Sequence, residues 1–423
     1  MLRFAPSPTG DMHIGDLRVA AINYIVSQQQ KEDLIIRIED TDKTKNIEGK
    51  DQEILDLLAL FQINYTQIIY QSENIRFHSA MALQLVHEKK AFSCFCSSEW
   101  LEKKKKELEG LNKPYLYDDA CRNLPAELVI DNTSPFSIRI IKPNHNIKID
   151  DVIQGSTVFN DNSIDSFHIL NQNKKPEYNF ACAVDDMLSD ISIIIRDEKN
   201  ILNTPKQEHI RTSLCYDKKI KYAHLPTLKN ENSFNVKSLL ELGYLPEAIL
   251  NYLISIGNKP PQEIFTMTEA IDWFNLSKIS NMSFSFDINT LKDINKKHLQ
   301  KLEAKELSRY VGFADIEIGE LAHIYLEEVS TTVELKAKIN PIFSKRNIPS
   351  KYIKQTLLMS EIIKKAPYFE EYEDFKNYII LKTKLDEKNF LISFRLLLTN
   401  TQTGPDIVKI YKYLKNYIGE IVK

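Results

Sequence analysis

The chain has 423 residues, of which 43% are hydrophobic and 27% are charged, with five cysteines and a formal net charge of −3. This length predicts two to four domains, the weak net charge argues against a surface that binds polyanions everywhere, and no apolar run approaches the roughly 20 residues of a membrane span. An odd number of cysteines without a signal-peptide pattern indicates reduced thiols, which predicts a cytoplasmic location. Separately, we expect a monomer that makes no membrane contact.

The first sixteen residues predict a strand, a loop and the start of a helix. Residues 1–5 are mostly apolar, residues 6–10 (PSPTG) interrupt regular structure, and apolar residues recur at helical spacing from Leu17. His13 and Gly15 therefore lie at the amino end of a helix, where free N–H groups and a partial positive charge suit phosphate. Gly15 allows close backbone approach to a ligand, and His13 can donate hydrogen bonds to oxygens that gain charge during phosphoryl transfer.

Further along the chain, the pattern alternates between strands and helices and then becomes helical. Residues 34–40 (LIIRIED) predict a buried strand that ends in polar residues. Because ligands gather at the carboxyl ends of parallel strands, Glu39 is expected near the first loop. A third strand is predicted over residues 191–196, and from about residue 233 apolar positions recur every three and four residues, which predicts helices.

Three segments resemble one enzyme family. Residues 3–15 (RFAPSPTGDMHIG) resemble the nucleotide-binding signature of class I aminoacyl-tRNA synthetases, in the form found in bacterial glutamyl-tRNA synthetases. Residues 36–42 (IRIEDTD) and 394–414 (FRLLLTNTQTGPDIVKIYKYL) are also similar to that family.

The resemblance implies an α/β fold. It consists of a Rossmann-like class I synthetase catalytic domain, with an inserted acceptor-arm domain, followed by an all-α carboxyl-terminal half. The implied boundaries are 1–80 and 183–232 for the catalytic domain, 81–182 for the inserted acceptor-arm-binding domain, 233–310 for a helical stem-contact domain and 311–423 for a helical anticodon-end domain.

The resemblance also implies a glutamate–tRNA ligase that works in two steps. The carboxylate of L-glutamate attacks the α-phosphate of ATP to give glutamyl-adenylate, and a terminal hydroxyl of tRNA then attacks the acyl carbon. Mg²⁺ accompanies ATP and neutralises phosphate charge. Positioning and electrostatics supply most of the rate, so no nucleophilic side chain is needed. The implied tRNA is tRNA(Glu), tRNA(Gln) or both, and the sequence does not separate them.

A glutamate pocket needs a cation for the side-chain carboxylate and an anion for the ammonium group, which suits Arg3 and Glu39. The family resemblance adds the tyrosine of Pro176-Glu177-Tyr178-Asn179 and the arginine of Arg196-Asp197-Glu198. The residues assigned to glutamate are Arg3, Ala5, Ser7, Glu39, Tyr178 and Arg196. Those assigned to ATP are Pro8, Thr9, Gly10, His13, Gly15 and Asp16, with His13 and Gly15 also assigned to catalysis.

Each assignment has a simpler alternative when the residue is taken alone. Arg3 is then a surface arginine beside a strand, and Tyr178 is a core aromatic with its hydroxyl satisfied. Asp185 and Asp186 match a further family motif, and the alternative there is a surface loop.

Three of the cysteines form a second candidate site. Cys94 and Cys96 flank one residue, and Cys121 follows after 24 residues. This spacing resembles a structural zinc site in some members of the family, and zinc requires four ligands. One version of the motif has a histidine where this chain has Asn123, and another has a tyrosine, here Tyr117. The predicted metal set is thus Cys94, Cys96, Tyr117 and Cys121, and the alternative is a group of thiols without metal.

The second family signature, a lysine-serine-lysine loop, is the main departure. Its flanking anchors are Leu225-Pro226 and residues 235–240 (NVKSLL), and only residues 227–234 lie between them. The loop is therefore shortened. Asp16 and Asp197 also add carboxylates near the expected phosphate, which costs affinity unless Mg²⁺ bridges the charges.

Two further hypotheses stay open, and the shortened loop motivates the first. The first is a catalytically degenerate paralogue that binds tRNA or glutamate without ligation. The second is the short relative that glutamylates a modified base in tRNA(Asp), but that relative lacks the anticodon-end domain, whereas this chain extends well beyond the catalytic core. ATP–pyrophosphate exchange distinguishes an active ligase from the paralogue.

Overall fold

The computed structural model describes residues 1–109, 115–229 and 234–422. These residues divide into two compact units, one made of Met1–Val236 with Leu253–Phe286 and the other of Lys237–Tyr252 with the chain from Asp287 onward. The finer division into four domains stays a prediction. Within the described ranges, no helix combines the length and the apolar character that crossing a membrane requires.

The first unit begins with a parallel three-stranded sheet. Its strands are β1 (Leu2–Phe4), β2 (Leu34–Ile38) and β3 (Gln67–Tyr70), in that spatial order. Helices α1 (Ile14–Gln30) and α2 (Lys50–Leu60) connect them. The first two strands are fully buried, as is usual for parallel strands covered by crossover helices. The predicted strand, helix and second strand are confirmed.

Two more sheets complete most of this unit. An antiparallel sheet has the order β4-β5-β8, and a mixed sheet has the order β7-β6-β10-β9, in which β10 is parallel to both β6 and β9. Strand β9 confirms the strand predicted over residues 191–196. The bounds are β4 (Ala91–Cys94), β5 (Ser137–Ile140), β6 (Ile147–Asp151), β7 (Gly155–Phe159), β8 (His168–Leu170), β9 (Ile193–Asp197) and β10 (Lys221–Leu225).

The remaining elements up to residue 286 are helices and one short strand pair. The pair, β11 (Leu228–Lys229) and β12 (Phe284–Ser285), is parallel, and β12 is a small exception to the helical pattern predicted after residue 233. The helices are α3 (Ile75–His87), α4 (Ser98–Glu109), α5 (Ala126–Ile130), α6 (Tyr178–Leu188), α7 (Thr204–Ser213), α8 (Val236–Glu241), α9 (Pro246–Ser255) and α10 (Met267–Trp273).

From residue 287 onward, the regular elements of the described residues are helices, which confirms the predicted all-α half. Aspartate side chains set where four of them begin, because Asp287, Asp315, Asp386 and Asp406 each accept a backbone N–H of the first turn. The bounds are α11 (Ile288–Lys301), α12 (Ala304–Tyr310), α13 (Ile316–Tyr325), α14 (Thr332–Phe343), α15 (Ile353–Ile363), α16 (Tyr372–Thr383), α17 (Glu387–Thr399), α18 (Ile407–Leu414) and α19 (Ile418–Ile421).

Candidate active site

A cavity of about 440 Å³ lies at the carboxyl ends of β1, β2 and β9. Its volume falls in the range of small-molecule sites, roughly 300–1,000 Å³. Most of the residues predicted for glutamate and ATP line it together: Arg3, Ala5, Ser7, Thr9, Gly10, His13, Asp16, Glu39, Tyr178 and Arg196.

Two of the predicted residues do not line the cavity. Pro8 is buried, and its carbonyl oxygen accepts a hydrogen bond from the backbone N–H of Ile47 at 2.9 Å. Gly15 lies in the first turn of α1. Both therefore support the loop that carries the other residues, and the structure gives neither a direct place in the cavity wall.

The loop between β1 and α1 presents His13 at the start of the helix. His13 is the N-cap residue, its side chain is exposed, and its backbone N–H donates to Asp16 Oδ2 at 3.3 Å. The chain after the shortened second signature runs beside this loop, because His13 and Asn235 form an antiparallel bridge and the N–H of Val236 donates to Met12 O at 3.0 Å. Residues 230–233, where the lysine loop is expected, lie outside the described residues.

A buried cluster of charges forms the floor beside Arg3. Arg3 Nε lies 3.0 Å from Asp186 Oδ1, and Arg37 Nη1 lies 2.6 Å from the same oxygen. Arg37 Nη2 also pairs with Glu39 Oε1 at 3.2 Å. Burial alone would raise the pKa of Asp186, but the nearby guanidinium groups outweigh it and hold that pKa well below its usual range. Asp186 therefore stays ionised and orients both arginines.

This cluster overturns two of the simpler alternatives. Arg3 is only 4% exposed, so it is not a surface arginine, and Asp185 and Asp186 are fully buried in α6, so they are not a surface loop. Within the described residues, the two Nη atoms of Arg3 make no hydrogen bond to protein, and Arg3 lines the cavity. The two Nη groups of Arg3, a fork of two hydrogen-bond donors, are thus available to a ligand.

Asp185 has a structural role beside this floor. Its carboxylate accepts hydrogen bonds from Gln71 Nε2 at 2.8 Å and Asn74 Nδ2 at 2.9 Å, and it lies 2.8 Å from His78 Nε2. These contacts tie α6 to α3 and to the turn that precedes α3. Because every partner belongs to the protein, Asp185 holds the helix that carries Tyr178 and Asp186.

Arg196 is a buried cation with neutral hydrogen-bond partners. Its Nε donates to His224 Nε2 at 3.1 Å, Nη1 donates to Gln207 Oε1 at 2.8 Å, and Nη2 donates to Thr204 Oγ1 at 2.8 Å. In the part of the chain that the structure describes, no carboxylate lies within 4 Å of Arg196. A buried guanidinium stays charged, and burying that charge without a nearby anion costs free energy. Its place in the cavity wall therefore predicts an anionic ligand.

Tyr178 stands at the first turn of α6, on the side of the cavity. The residue is 43% exposed, and its hydroxyl donates to Asn200 Oδ1 at 3.3 Å. The alternative of a core aromatic is therefore wrong. Tyr178 and Arg196 face the same space as Arg3, although they come from different elements.

Comparisons with known proteins agree with this geometry. Residues 1–293 match the family of class I tRNA synthetases (E and Q), catalytic domain. The chain belongs to this family. It is 62% identical to glutamate–tRNA ligase 2 of Sulfurimonas denitrificans and 46% identical to glutamate–tRNA ligase 1 of Campylobacter jejuni, each across 100% of both chains.

Two solved structures share the fold of this synthetase. One is a glutamate tRNA ligase from Elizabethkingia meningosepticum in complex with its amino acid, with a TM-score of 0.84. The other is a glutamate-tRNA synthetase from Elizabethkingia anophelis, with a TM-score of 0.82. Each is 22% identical to this chain, and the match covers 100% of this chain and 98% of the other. The class I synthetase fold implied by the sequence is confirmed.

Asp16 and Asp197, the two carboxylates that depart from the family pattern, both line the cavity, and both accept hydrogen bonds from protein. Asp197 Oδ1 accepts from the N–H of Lys199 at 2.7 Å and from Thr227 Oγ1 at 3.0 Å. Asp16 accepts from the N–H of His13. Because donors already face these oxygens, part of their charge is compensated before phosphate binds.

The predicted cysteine set also comes together. The sulfur atoms of Cys94, Cys96 and Cys121 lie within 4.8 Å of one another. The hydroxyl of Tyr117 lies 3.5 Å from the Cys94 sulfur and 3.4 Å from the Cys96 sulfur. Arg139 Nε donates to Cys94 Sγ at 3.3 Å, so a cation lies beside the sulfur atoms. The arrangement can hold a metal ion, and burial raises the pKa of the Tyr117 phenol.

Sequence reasoning missed several residues of this site. Arg37 carries a signal, because a charged residue inside a buried apolar strand requires a partner. Asp11 and Lys50 carry none: Asp11 lines the cavity and pairs with Lys50, whose Nζ also lies 2.8 Å from Glu53 Oε1. The ion pair partly neutralises a third carboxylate beside the loop of His13.

Proposed function

We propose that this synthetase is an ATP-dependent glutamate–tRNA ligase that forms glutamyl-adenylate and transfers glutamate to the 3′ end of tRNA(Glu). The observation that carries the proposal is the buried, unpaired charge of Arg196 beside the free fork of Arg3, in one cavity with the amino end of α1. Full-length relatives at 62% and 46% identity carry the name of this activity. They favour the ligase over the paralogue that only binds.

In this proposal, the floor of the cavity binds glutamate. Arg196 and the Nη atoms of Arg3 bind the side-chain carboxylate, because planar guanidinium groups match carboxylates in shape and charge. Glu39 binds the ammonium group: its side chain is 9% exposed and Arg37 holds it in place. Tyr178, Ser7 and the backbone of Ala5 orient the substrate. These contacts place the α-carboxylate for attack on ATP, and none of them forms a covalent bond.

The loop and the start of α1 bind ATP in the same proposal. The residues assigned to ATP are Pro8, Thr9, Gly10, His13, Gly15 and Asp16, and they lie on the loop before α1 and in its first turn. N–H groups at the amino end of a helix stabilise phosphate oxygens. His13 donates to an oxygen of the α-phosphate as charge develops there. Mg²⁺ accompanies ATP and supplies charge neutralisation.

The remaining parts of the proposal concern tRNA and the state of the protein. We propose that residues 81–182 bind the acceptor arm, residues 233–310 the stem and residues 311–423 the anticodon end, with tRNA(Gln) as a second substrate. We also propose that the protein is a cytoplasmic monomer, and its free cysteines suit a reducing compartment.

The test is ATP–pyrophosphate exchange with L-glutamate, with and without tRNA, followed by charging of purified tRNA(Glu) and tRNA(Gln). The wild-type protein is expected to exchange, and His13→Ala is expected to lower kcat by about 10²–10³-fold, the usual loss for one transition-state donor. His87→Ala changes an exposed histidine at the end of α3 and serves as control. Wild-type exchange no greater than that of His13→Ala would contradict the proposal.

We further propose that Cys94, Cys96 and Cys121 hold one structural Zn²⁺, with Tyr117 as the fourth ligand. The support is the proximity of the three sulfur atoms, together with the cation of Arg139 that offsets the excess negative charge of three thiolates. The metal would join β4 to the segment around residue 117. It has no role in the reaction.

Metal analysis of the purified protein tests this site. We expect about one zinc per chain, and we expect Cys96→Ser to lose most of it and to unfold at a lower temperature. Cys215→Ser removes an exposed cysteine outside the cluster and should keep the metal. Wild-type protein that is free of zinc after growth in zinc-supplemented medium would refute the site.

A further inference from the structure

A buried histidine stands behind Arg196 and does not line the cavity. His224 lies on β10 and is fully buried, with its Nδ1 at 2.7 Å from Asp151 Oδ2 and its Nε2 at 3.1 Å from Arg196 Nε. Asp151, at the end of β6, is 8% exposed. The three residues come from three neighbouring strands and form a row in the order Asp151, His224 and Arg196, of which Arg196 lines the cavity.

The chemistry of the row fixes the proton on the imidazole. An arginine Nε–H donates and never accepts, so His224 Nε2 must offer its lone pair to Arg196. The proton of the neutral ring then sits on Nδ1 and is donated to Asp151. Burial lowers the pKa of His224, which favours this neutral form. Thr204 Oγ1 also lies 3.1 Å from Nε2 and accepts from Arg196 Nη2, so it joins the same arrangement.

Asp151 is itself held by the backbone. Its Oδ1 accepts the N–H groups of Ile153 at 2.9 Å and Gln154 at 2.8 Å, and its Oδ2 accepts the N–H of His224 at 3.0 Å. These donors stabilise the carboxylate, and they give it a fixed direction toward the imidazole. Asp151 thereby acts on Arg196 only through His224.

We propose that Asp151 and His224 are positioning residues for substrate recognition: Asp151 selects the Nδ1–H form of His224, whose Nε2 then aims the guanidinium of Arg196 at the carboxylate of glutamate. The inference rests on the proposed function, in which Arg196 binds that carboxylate. It assigns the Asp151–His224 pair to affinity for the amino acid and not to ATP or to the chemical step.

Two substitutions of His224 separate its two hydrogen bonds. The amide of His224→Gln reaches the place of Nε2 and offers an oxygen to Arg196, whereas the shorter amide of His224→Asn reaches the place of Nδ1 and serves only Asp151. A third substitution, Asp151→Asn, turns a donor toward Nδ1 and forces the proton onto Nε2, against Arg196.

The primary measurement is the Kd of L-glutamate by isothermal titration, with KM for glutamate, KM for ATP and kcat from exchange. His224→Asn and Asp151→Asn are expected to weaken glutamate binding about tenfold or more, the effect of one lost buried hydrogen bond to a charge, and His224→Gln by less than about threefold. KM for ATP should change by less than about twofold in all three. His209→Asn, which changes a histidine bonded to the Ile141 carbonyl, is the control.

Equal glutamate affinity in the asparagine and glutamine variants of His224 would overturn the inference. So would a loss confined to melting temperature and kcat, since that is what a purely structural role predicts. If the wild-type protein binds glutamate but shows no ATP–pyrophosphate exchange, the proposed ligase activity is refuted. The Kd values of the His224 and Asp151 variants would still decide the positioning role. Wild-type protein that binds no glutamate would refute both.

Discussion

Arg196→Gln is expected to lower kcat/KM for glutamate by about 10²–10³-fold, mainly through KM. Removing one partner of a buried charged pair costs about 2–5 kcal/mol, and roughly 1.4 kcal/mol corresponds to a factor of ten. Glutamine keeps the volume of the side chain and some of its hydrogen bonds but removes the charge that the γ-carboxylate of glutamate would meet. KM for ATP, measured on the same enzyme, should stay close to the wild-type value.

A second buried arginine provides the matched control. Arg18 is 2% exposed and donates to Pro226 O at 2.9 Å and Ile256 O at 3.1 Å, away from the cavity wall. Arg18→Gln is expected to lower stability while KM for glutamate changes by less than about threefold. If the two variants raise KM for glutamate equally, Arg196 has no special place in recognition.

Much of the cavity could be predicted because it is built from short, contiguous motifs. Arg3 lies in the short strand β1, Glu39 directly follows β2, and His13 caps the helix between them, so local pattern and the rule for parallel strands bring all three to one edge. Tyr178 and Arg196 came from the family resemblance, since nothing in their spacing along the chain reveals that α6 and β9 meet at that edge.

The parts that could not be predicted depend on contacts over long sequence distances. Asp186 meets Arg3 across 183 residues, and His224 meets Asp151 across 73 residues. The register of β6 beside β10 creates the second contact, and a one-residue slip would turn the side chain to the other face. Pro8 and Gly15 are assigned to ATP through membership of the motif, and that assignment stays a prediction, although neither residue lines the cavity.

Asp186→Asn is expected to destabilise the first unit by about 3–5 kcal/mol, because breaking a buried ion pair leaves uncompensated charge. Asp186 Oδ1 accepts from both Arg3 and Arg37, and an amide of the same shape cannot balance two guanidinium groups. Urea denaturation followed by far-UV circular dichroism measures the change. Asparagine preserves volume, so a shift within about 1 kcal/mol of wild type would mean that the two arginines are neutralised from elsewhere.

The same carboxylate predicts how stability responds to acid. The pKa of Asp186 is lowered in the folded protein, so its contribution is complete above the unfolded pKa of about 3.9 and is lost as pH falls toward the folded value. The difference between wild type and Asp186→Asn should therefore be largest near neutral pH and narrow below about pH 4. Asp190→Asn, which removes an exposed aspartate paired with Lys218 just after α6, should leave the curve nearly unchanged. A constant difference between Asp186→Asn and wild type at all pH values would mean that ionisation of Asp186 is not what stabilises the floor of the cavity.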